Sequence, residues 1–424
     1  MLVENSYPGD IRVRNEANLL AGAGYRVSVV ATRRKGQTFR ETVGGVKAYR
    51  VPRIELFTKT SQGSPGVIER FFLRLKSFAG YFFEYFYITA ATSAVTFYIF
   101  LTEGFDAIHS HNPPDTLFLA ALPYRLIGKK YVFDHHDLCP ELYLSRYQSK
   151  SRGGILVKIL TFVEWCSLKL ANITIATNQS YKDTQIRRAG KKPETIFIVR
   201  NGPNEQRMSL LPPSPRLRSM GKHILVYIGA LNPQDGVDYL LRSLHYLIYT
   251  LHRTDFHCVI MGGGDSLGDL RALSKTLNLE HQVELTGIVS EDDLRANLSA
   301  ADICVDPDPS SPLNDVSTWI KIMEYMAAAK PIVTFDLKET RFSAQDAALY
   351  VRPNKEDEFA VAIARLMDNP SLRDQMGQFG RKRVETELQW SIVGQNLLSA
   401  YATLFPQNKR LDPTPVKLVE NSSV

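Results

Sequence analysis

Between Asp302 and Val333 the chain reads DICVDPDPSSPLNDVSTWIKIMEYMAAAKPIV, and three of its side chains bring chemistry together. Ser317, Lys321 and Glu324 supply a hydroxyl, a cation and a carboxylate at i, i+4 and i+7, positions that share one face of an α-helix. Val316, Ile320, Met323 and Ala327 form the apolar stripe beside them. Upstream, an apolar strand ends in a Pro/Ser/Asn loop. A strand that enters a helix through such a loop makes an anion site, because unpaired backbone N–H groups and the helix dipole both point at the loop. The phosphates of a nucleotide would fit there. A capped amphipathic helix with its polar face in water shows the same local pattern, so the flanking sequence has to decide.

Other candidate groups also stand at the ends of apolar runs. Gly262, Gly263, Gly264 and Asp265 follow FHCVIM, where glycines let a backbone approach a ligand closely; a tight turn explains them equally. They do not form GxGxxG after an N-terminal strand, which argues against a dinucleotide site. Asp134-His135-His136-Asp137 ends another run. Neighbours on a strand point to opposite sides, and no second His/Asp cluster stands at ligand spacing, so a metal, a structural role and a substrate contact all remain open. Tyr7-Pro8-Gly9-Asp10 with Arg12, and His111-Asn112-Pro113-Pro114-Asp115, are two further polar loops at strand ends.

Strand and helix patterns alternate twice along the chain, which predicts two doubly wound parallel sheets with ligands beyond the C-terminal strand ends. YRVSVVAT, VKAYRVP, FDAIHSH, KKYVFDHHD, ANITIAT and TIFIVRNG build the first domain, with helices over Arg12 to Ala23 and Gly153 to Leu170. A Pro-rich polar stretch from Pro203 to Lys222 reads as a linker. HILVYIGA, FHCVIMGGG, VELTGIV, DICVDPD and PIVTFD build the second, with helices over Val237–Thr250, Ser266–Leu277 and Glu291–Ala300 and on the Glu324 segment. The tail after Phe405 reads as disordered.

Composition narrows the class. At 424 residues, 44% hydrophobic and 22% charged, the chain suits two or three globular domains. Cys139, Cys166, Cys258 and Cys304 are dispersed without a CxxC pair, which points to a reducing compartment and the cytoplasm. No signal peptide is read at the N-terminus, where the first strand is short enough that the natural start is expected upstream. A net charge of +7 suggests an anionic partner. Nucleic acid is not expected, because aromatic residues cluster in apolar runs and not among Lys and Arg. Phe78 to Leu101 is long and apolar after Arg70, Arg74 and Lys76, and reads as a membrane span, an interfacial aromatic face or helices buried in the domain.

Glu324 followed by YMAAAKPIV resembles the retaining group-1 glycosyltransferases of glycosyltransferase family 4, and the resemblance runs over nearly the whole chain. It implies the GT-B architecture, two Rossmann-like domains facing a cleft. Residues 1–202 would bind the acceptor and 223–385 the donor, joined by a linker at 203–222. A helix at 386–405 would cross back to the first domain, followed by a disordered tail at 406–424. The family's first Glu falls at Val316, with Asp315 one position earlier. Its two diphosphate-binding cations fall at Ala230 and Asp235, so Lys321, the 317–320 helix start and Arg200 are expected to replace them.

The implied activity is metal-free, cofactor-free transfer of a sugar, with retention, from a nucleotide-diphosphate sugar to a glycan or lipid-linked acceptor in polysaccharide or glycolipid synthesis. By resemblance His136, Lys321 and Asp315 would be catalytic. Glu324, Ser317, Thr318, Gly229, Gly262, Gly264, Gly287, Arg200 and Asn201 would hold the donor, and Gly9, Asp10, Arg12 and His111 the acceptor. The protein would be cytoplasmic, peripheral on the anionic inner face of the membrane. A nucleotide-sugar epimerase of the same architecture and a catalytically inactive binding subunit are the alternatives.

Overall fold

The structure, a computed structural model, describes residues 1–53, 67–147, 154–203 and 209–406, with the backbone alone at 67–82 and 146–147. The expected disordered tail, part of the expected linker and the side chains of Arg70, Arg74 and Lys76 lie outside the described residues. The chain divides into two compact units. One comprises Met1–Pro140, Gly153–Val199 and Gly394–Val424, and the other Glu141–Arg152 and Arg200–Val393.

The first unit is built on β1 (Leu2–Ser6), β2 (Ser28–Arg33), β3 (Arg40–Val43), β4 (Val46–Pro52), β5 (Ala107–His111), β6 (Lys130–His135), β7 (Ile173–Ala176) and β8 (Ile196–Ile198). Their order is β3-β4-β2-β1-β5-β6-β7-β8, parallel except for the β3–β4 hairpin. The pattern reading did not include β3, whose RETV is polar and half exposed. Its signal was the pair Gly44-Gly45, which turns the hairpin at φ 56° and 81°. Alternation along the strands splits the core in two. Val3, Val29, Ala31 and Ala48 pack on the side of the helix Ile11–Gly22, whereas Leu2, Val30, Tyr49 and Val51 pack with Ile88, Ile99 and Tyr124 on the other side.

That second side is covered partly by the helix Val67–Thr102, 36 residues long. Ile88, Thr92, Thr96 and Ile99 lie at i, i+4, i+8 and i+11 and are buried, while Phe83, Phe86, Phe97 and Leu101 face outward. The segment Phe78 to Leu101 therefore belongs to one continuous helix of the domain, and from Phe83 on one side lies in the core and one side is bare. Gln395–Leu404 also packs in this unit, with Leu397, Ala400, Tyr401 and Leu404 buried. The single helix expected at 386–405 is thus divided, with Trp390–Val393 in the other unit and Gln395–Leu404 in this one.

The second unit has β9 (His223–Ile228), β10 (Phe256–Met261), β11 (Val283–Gly287), β12 (Ile303–Asp306), β13 (Ile332–Phe335) and β14 (Ala348–Val351) in the order β11-β10-β9-β12-β13-β14, all parallel. That order reverses direction between β9 and β12, and the first unit reverses between β1 and β5. Such switch points open crevices at the carboxyl ends of the strands. The described part of the Pro-rich stretch is not a free tether: Pro215–Arg218 is helical, Leu217 is fully buried, and Ser214 N–H donates to Ala296 O at 3.0 Å.

Candidate active site

At the mouth of the first sheet the β1 turn and the ends of β5 and β6 bring buried charges together. Asp10 caps the helix Ile11–Gly22, accepting from Val13 N–H at 3.0 Å. One turn on, Arg12 is buried, its Nε donating to Asp134 Oδ2 at 3.0 Å and Nη2 to Asp134 Oδ1 at 2.9 Å. Nη1 reaches Val199 O at 3.0 Å. Arg12 therefore holds the domain's own groups together, contrary to its expected place as an acceptor contact. Its range of partners explains this: 122 residues separate it from Asp134.

His136 Nε2 lies 2.8 Å from Asp134 Oδ2, 2.8 Å from Arg12 Nε and 3.2 Å from His111 Nδ1, and its side chain keeps 17% exposure. His111 is fully enclosed, and burial pushes its imidazole down to about 4. It supports His136 from below and is not an open acceptor contact. Asn112 fixes the loop, accepting from His136 N–H at 2.6 Å and donating to Asp115 Oδ1 at 2.8 Å. His135 points to the opposite side of the strand and pairs with Glu164 at 3.0 Å, as strand alternation requires.

Spatial folding also supplies what linear spacing did not show. Glu16, His111, Asp134 and His136 lie within 4.8 Å of one another, a set that could hold a metal ion. The Arg12 guanidinium already stands among them, 3.0 Å from Glu16 as well as from Asp134. Burial, then the Asp134 charge, pushes the Glu16 carboxyl well up. Arg12 and His136 hold Asp134 well below the usual range despite its burial. The cluster is thus two carboxyl groups, with opposite shifts, around an arginine. Gly9 is exposed, and a Cβ there would meet Ser6 Oγ at 2.5 Å.

The mouth of the second sheet has the same logic. Pairing of β9 with β12 ends at Cys304–Val226, beyond which the strands part. The buried Tyr325 hydroxyl fills the wedge, accepting from Ile228 N–H at 2.9 Å and donating to Val305 O at 3.3 Å. Lys321 Nζ lies 2.9 Å from Asp306 and 2.8 Å from Asp308, all three buried. Thr334 Oγ1 donates to Asp306 at 3.1 Å. The expectation that Lys321 stands open to a diphosphate is therefore corrected, since two carboxylates already claim its charge. Their signal was the pair Asp306 and Asp308, at i and i+2 on a strand end.

The helix that carries Lys321 and Glu324 is Ile320–Ala327, shorter than the stripe implied. Ser317 and Thr318 precede it, and Ser317 Oγ bonds back to Leu313 O at 2.7 Å, so Ser317 is not on the helical face. Asp315 sits half exposed in the 3-10 turn Asn314–Val316. Glu324 is buried in the helix. Asp235 caps the turn at Asn232, accepting from its N–H at 2.9 Å, and supplies no positive charge. Arg200 pairs with Glu339 at 3.4 Å and lies over the Phe342 ring, so it too is engaged, with Asn201 beside it half exposed.

The glycines serve the loops. A Cβ at Gly262 would sit 1.8 Å from Gly229 O, and one at Gly264 2.5 Å from Leu231 O. Gly229 N–H in turn donates to Met261 O at 3.1 Å. Their smallness lets the ends of β9 and β10 pack backbone to backbone. Gly287, at φ 76°, has open space about it.

Comparison with known proteins agrees with this architecture. Sucrose-phosphate synthase from Thermosynechococcus elongatus is similar with a TM-score of 0.70 and 20% identity, covering 95% of each chain. HepE from Anabaena, solved in complex with UDP, has a TM-score of 0.64 at 15% identity, covering 95% of this chain and 98% of its own. These likenesses give the GT-B fold. In sequence the chain is 23% identical over 306 residues to an alpha-D-kanosaminyltransferase from Streptomyces kanamyceticus, covering 69% of this chain and 76% of the relative. It is 24% identical over 325 residues to an alpha-maltose-1-phosphate synthase from Mycobacterium tuberculosis, covering 69% and 78%. The family described as Glycosyltransferase Family 4 matches residues 10–207 and that described as Glycosyl transferases group 1 matches 222–369, and on these two matches the chain belongs to the group-1 glycosyltransferases of family 4.

Proposed function

We propose that this glycosyltransferase moves a sugar, with retention of the anomeric configuration, from a nucleotide-diphosphate donor to a glycan or glycolipid acceptor. The observation that carries the reading is the switch-point crevice of the second unit, where Glu324 follows the β12 loop. HepE, whose fold the chain shares, was solved with UDP-glucose. Glu324 accepts hydrogen bonds from the ribose hydroxyls in this reading, and His136 orients hydroxyls of the sugar or acceptor. Lys321 is neutralised by aspartates, so the developing phosphate charge is met by the N-terminus of the helix Ile320–Ala327. In this reading the Glu16, His111, Asp134 and His136 set holds no metal, because Arg12 already supplies the positive charge inside it. Calorimetry of UDP-, GDP- and TDP-sugars in the presence of EDTA tests this. One of them should bind, and Glu324→Gln should weaken it by about 1.5–3 kcal/mol. Absence of any binding would remove the donor reading, and donor consumption without acceptor would favour the epimerase.

We further propose peripheral attachment to an anionic bilayer through the bare side of the first unit's helix layer. On the helix Ile155–Leu170 the outward residues Ile155, Ile159, Phe162 and Trp165 are more apolar than a water-facing helix requires, with Ile155 at 80% and Phe162 at 62% exposure. Phe86 and Leu101 on the long helix and Leu126 and Ile127 nearby are similarly exposed. Lys158 and Lys169 rim the apolar strip, and Lys169 Nζ lies 6.0 Å from the Trp165 ring centre. The protein should pellet with anionic vesicles at low salt and be released near 1 M salt, where the Debye length falls to about 3 Å. Phe162→Ser with Trp165→Ser should abolish pelleting. A dimer in solution that leaves vesicles unbound would give this face to a second copy instead.

A further inference from the structure

A cavity of about 370 Å³ opens at the first unit's switch point, and Glu4, on the central strand β1, looks into it beside Asn5, Asp10, Arg53, Glu84 and His136. Strand alternation puts Glu4 on the side of Leu2, which packs in the core under the long helix. A central parallel strand covered on both faces ordinarily carries an apolar residue at such a position. The carboxylate there makes no hydrogen bond or ion pair among the described residues. Burial, then the neighbouring Glu84, pushes its carboxyl up to about 7, against the opposing pull of Arg53. A group held in this state at the mouth of a Rossmann sheet marks a functional position. The packing of the domain gains nothing from it.

The charge of the lining sets the kind of ligand. Glu4, Glu84, Asp10 and Asp137 place four carboxyl groups around the space, against the Arg53 guanidinium and the imidazole of His136. A phosphate-bearing ring would enter against like charge. A ring that offers only hydroxyl groups would donate hydrogen bonds to these oxygens.

We propose that this cavity receives the acceptor as an uncharged, polyhydroxylated sugar ring, with Glu4 accepting a hydrogen bond from one of its hydroxyls. The inference rests on the transferase reading above and names the acceptor class that goes with it. Glu4 is a substrate-binding residue here, and no proton or bond changes hands at it.

The test reads binding without turnover. Saturation-transfer NMR on the full chain uses methyl α-glucoside, methyl α-galactoside and methyl α-mannoside as probes, each beside the corresponding hexose 6-phosphate. At least one neutral glycoside should give a signal and its 6-phosphate should not. At pH 8, above the raised value of the carboxyl, Glu4→Gln, which keeps shape and removes charge, should weaken that glycoside by roughly tenfold or more, the scale of a lost hydrogen bond to a charged group. Phosphates that bind as well as the neutral rings, silence from all three glycosides, or an unchanged Glu4→Gln protein would each overturn the proposal. Calorimetry with nucleotide sugars is read separately. Glycosides that bind to a protein blind to every nucleotide sugar would sink the donor reading and leave this cavity standing.

Discussion

Lys321→Met removes an ammonium from between two buried carboxylates and keeps most of the packing volume. Asp306 and Asp308 lie 2.9 and 2.8 Å from Lys321 Nζ, all buried, and the lysine also lies 5.0 Å from the Tyr227 ring centre. Removing one partner of a buried ion pair leaves an uncompensated charge, at a cost of about 3–5 kcal/mol. For a unit of this size that corresponds to a fall of roughly 6–20 °C in Tm. The loss should depend on pH. Burial and Asp306 already push the Asp308 carboxyl well up, and without the ammonium it would be raised further above its unfolded value. The penalty is therefore small below the ordinary carboxylate range and grows as pH rises through the raised folded value. Urea unfolding of the full chain at pH 5 and pH 8 should show the larger loss at pH 8. Adding Asp308→Asn should recover part of it, a non-additivity expected of direct partners. If Lys321→Met costs under about 1 kcal/mol at both pH values, the ammonium does not neutralise the aspartates and is free for a phosphate.

Three further outcomes follow from the packing and the charges. Gly262→Ala should cost roughly 3 kcal/mol or more in urea unfolding, because its Cβ would lie 1.8 Å from Gly229 O. Gly287→Ala, in open space at φ 76°, should cost only about 1–2 kcal/mol, the local penalty of a left-handed residue. Glu4 has its carboxyl raised from 4.5 to about 7, so wild-type stability should fall as pH climbs through that window and Glu4→Gln should remove the fall, a difference of about 2–3 kcal/mol between pH 5 and pH 8.

The alternation of apolar runs made both sheets and most helices legible, since period and length are local properties. Local too was the split of the DHHD segment, with His136 and Asp134 on one side and His135 on the other. The start of the Glu324 helix was misplaced because Ser317 and Asn314 turn their polar atoms onto nearby backbone, and those bonds compete with helix formation. The partners of Arg12 and Lys321 were not legible. Arg12 and Lys321 stand at positions where the pattern marks a cation facing a ligand, and only the closed fold brings Asp134, Asp306 and Asp308 against them. The glycines after FHCVIM suit a ligand's approach or a tight turn by sequence, and in the fold the room they make is taken by the neighbouring loop.

Each unit therefore resolves its switch point in the same way. Where parallel strands part and no ladder hydrogen bonds remain, a buried cation is set against two carboxyl groups: Arg12 with Asp134 and Glu16, Lys321 with Asp306 and Asp308. A buried ion cluster of this kind adds little net stability over an apolar filling of the same volume, so its use at both mouths is not explained by packing alone. What it does give is a fixed frame in a polar crevice. His136 is held on two sides by the first cluster, and the helix of Glu324 is anchored through Lys321 by the second. In the proposed reading, ligand recognition falls to Glu4 and His136 in one unit and to Glu324 with its preceding backbone in the other. On this division of labour, substitutions at Arg12 or Lys321 should lower stability and activity together. Substitutions at Glu4 or Glu324 should change ligand affinity with the fold intact.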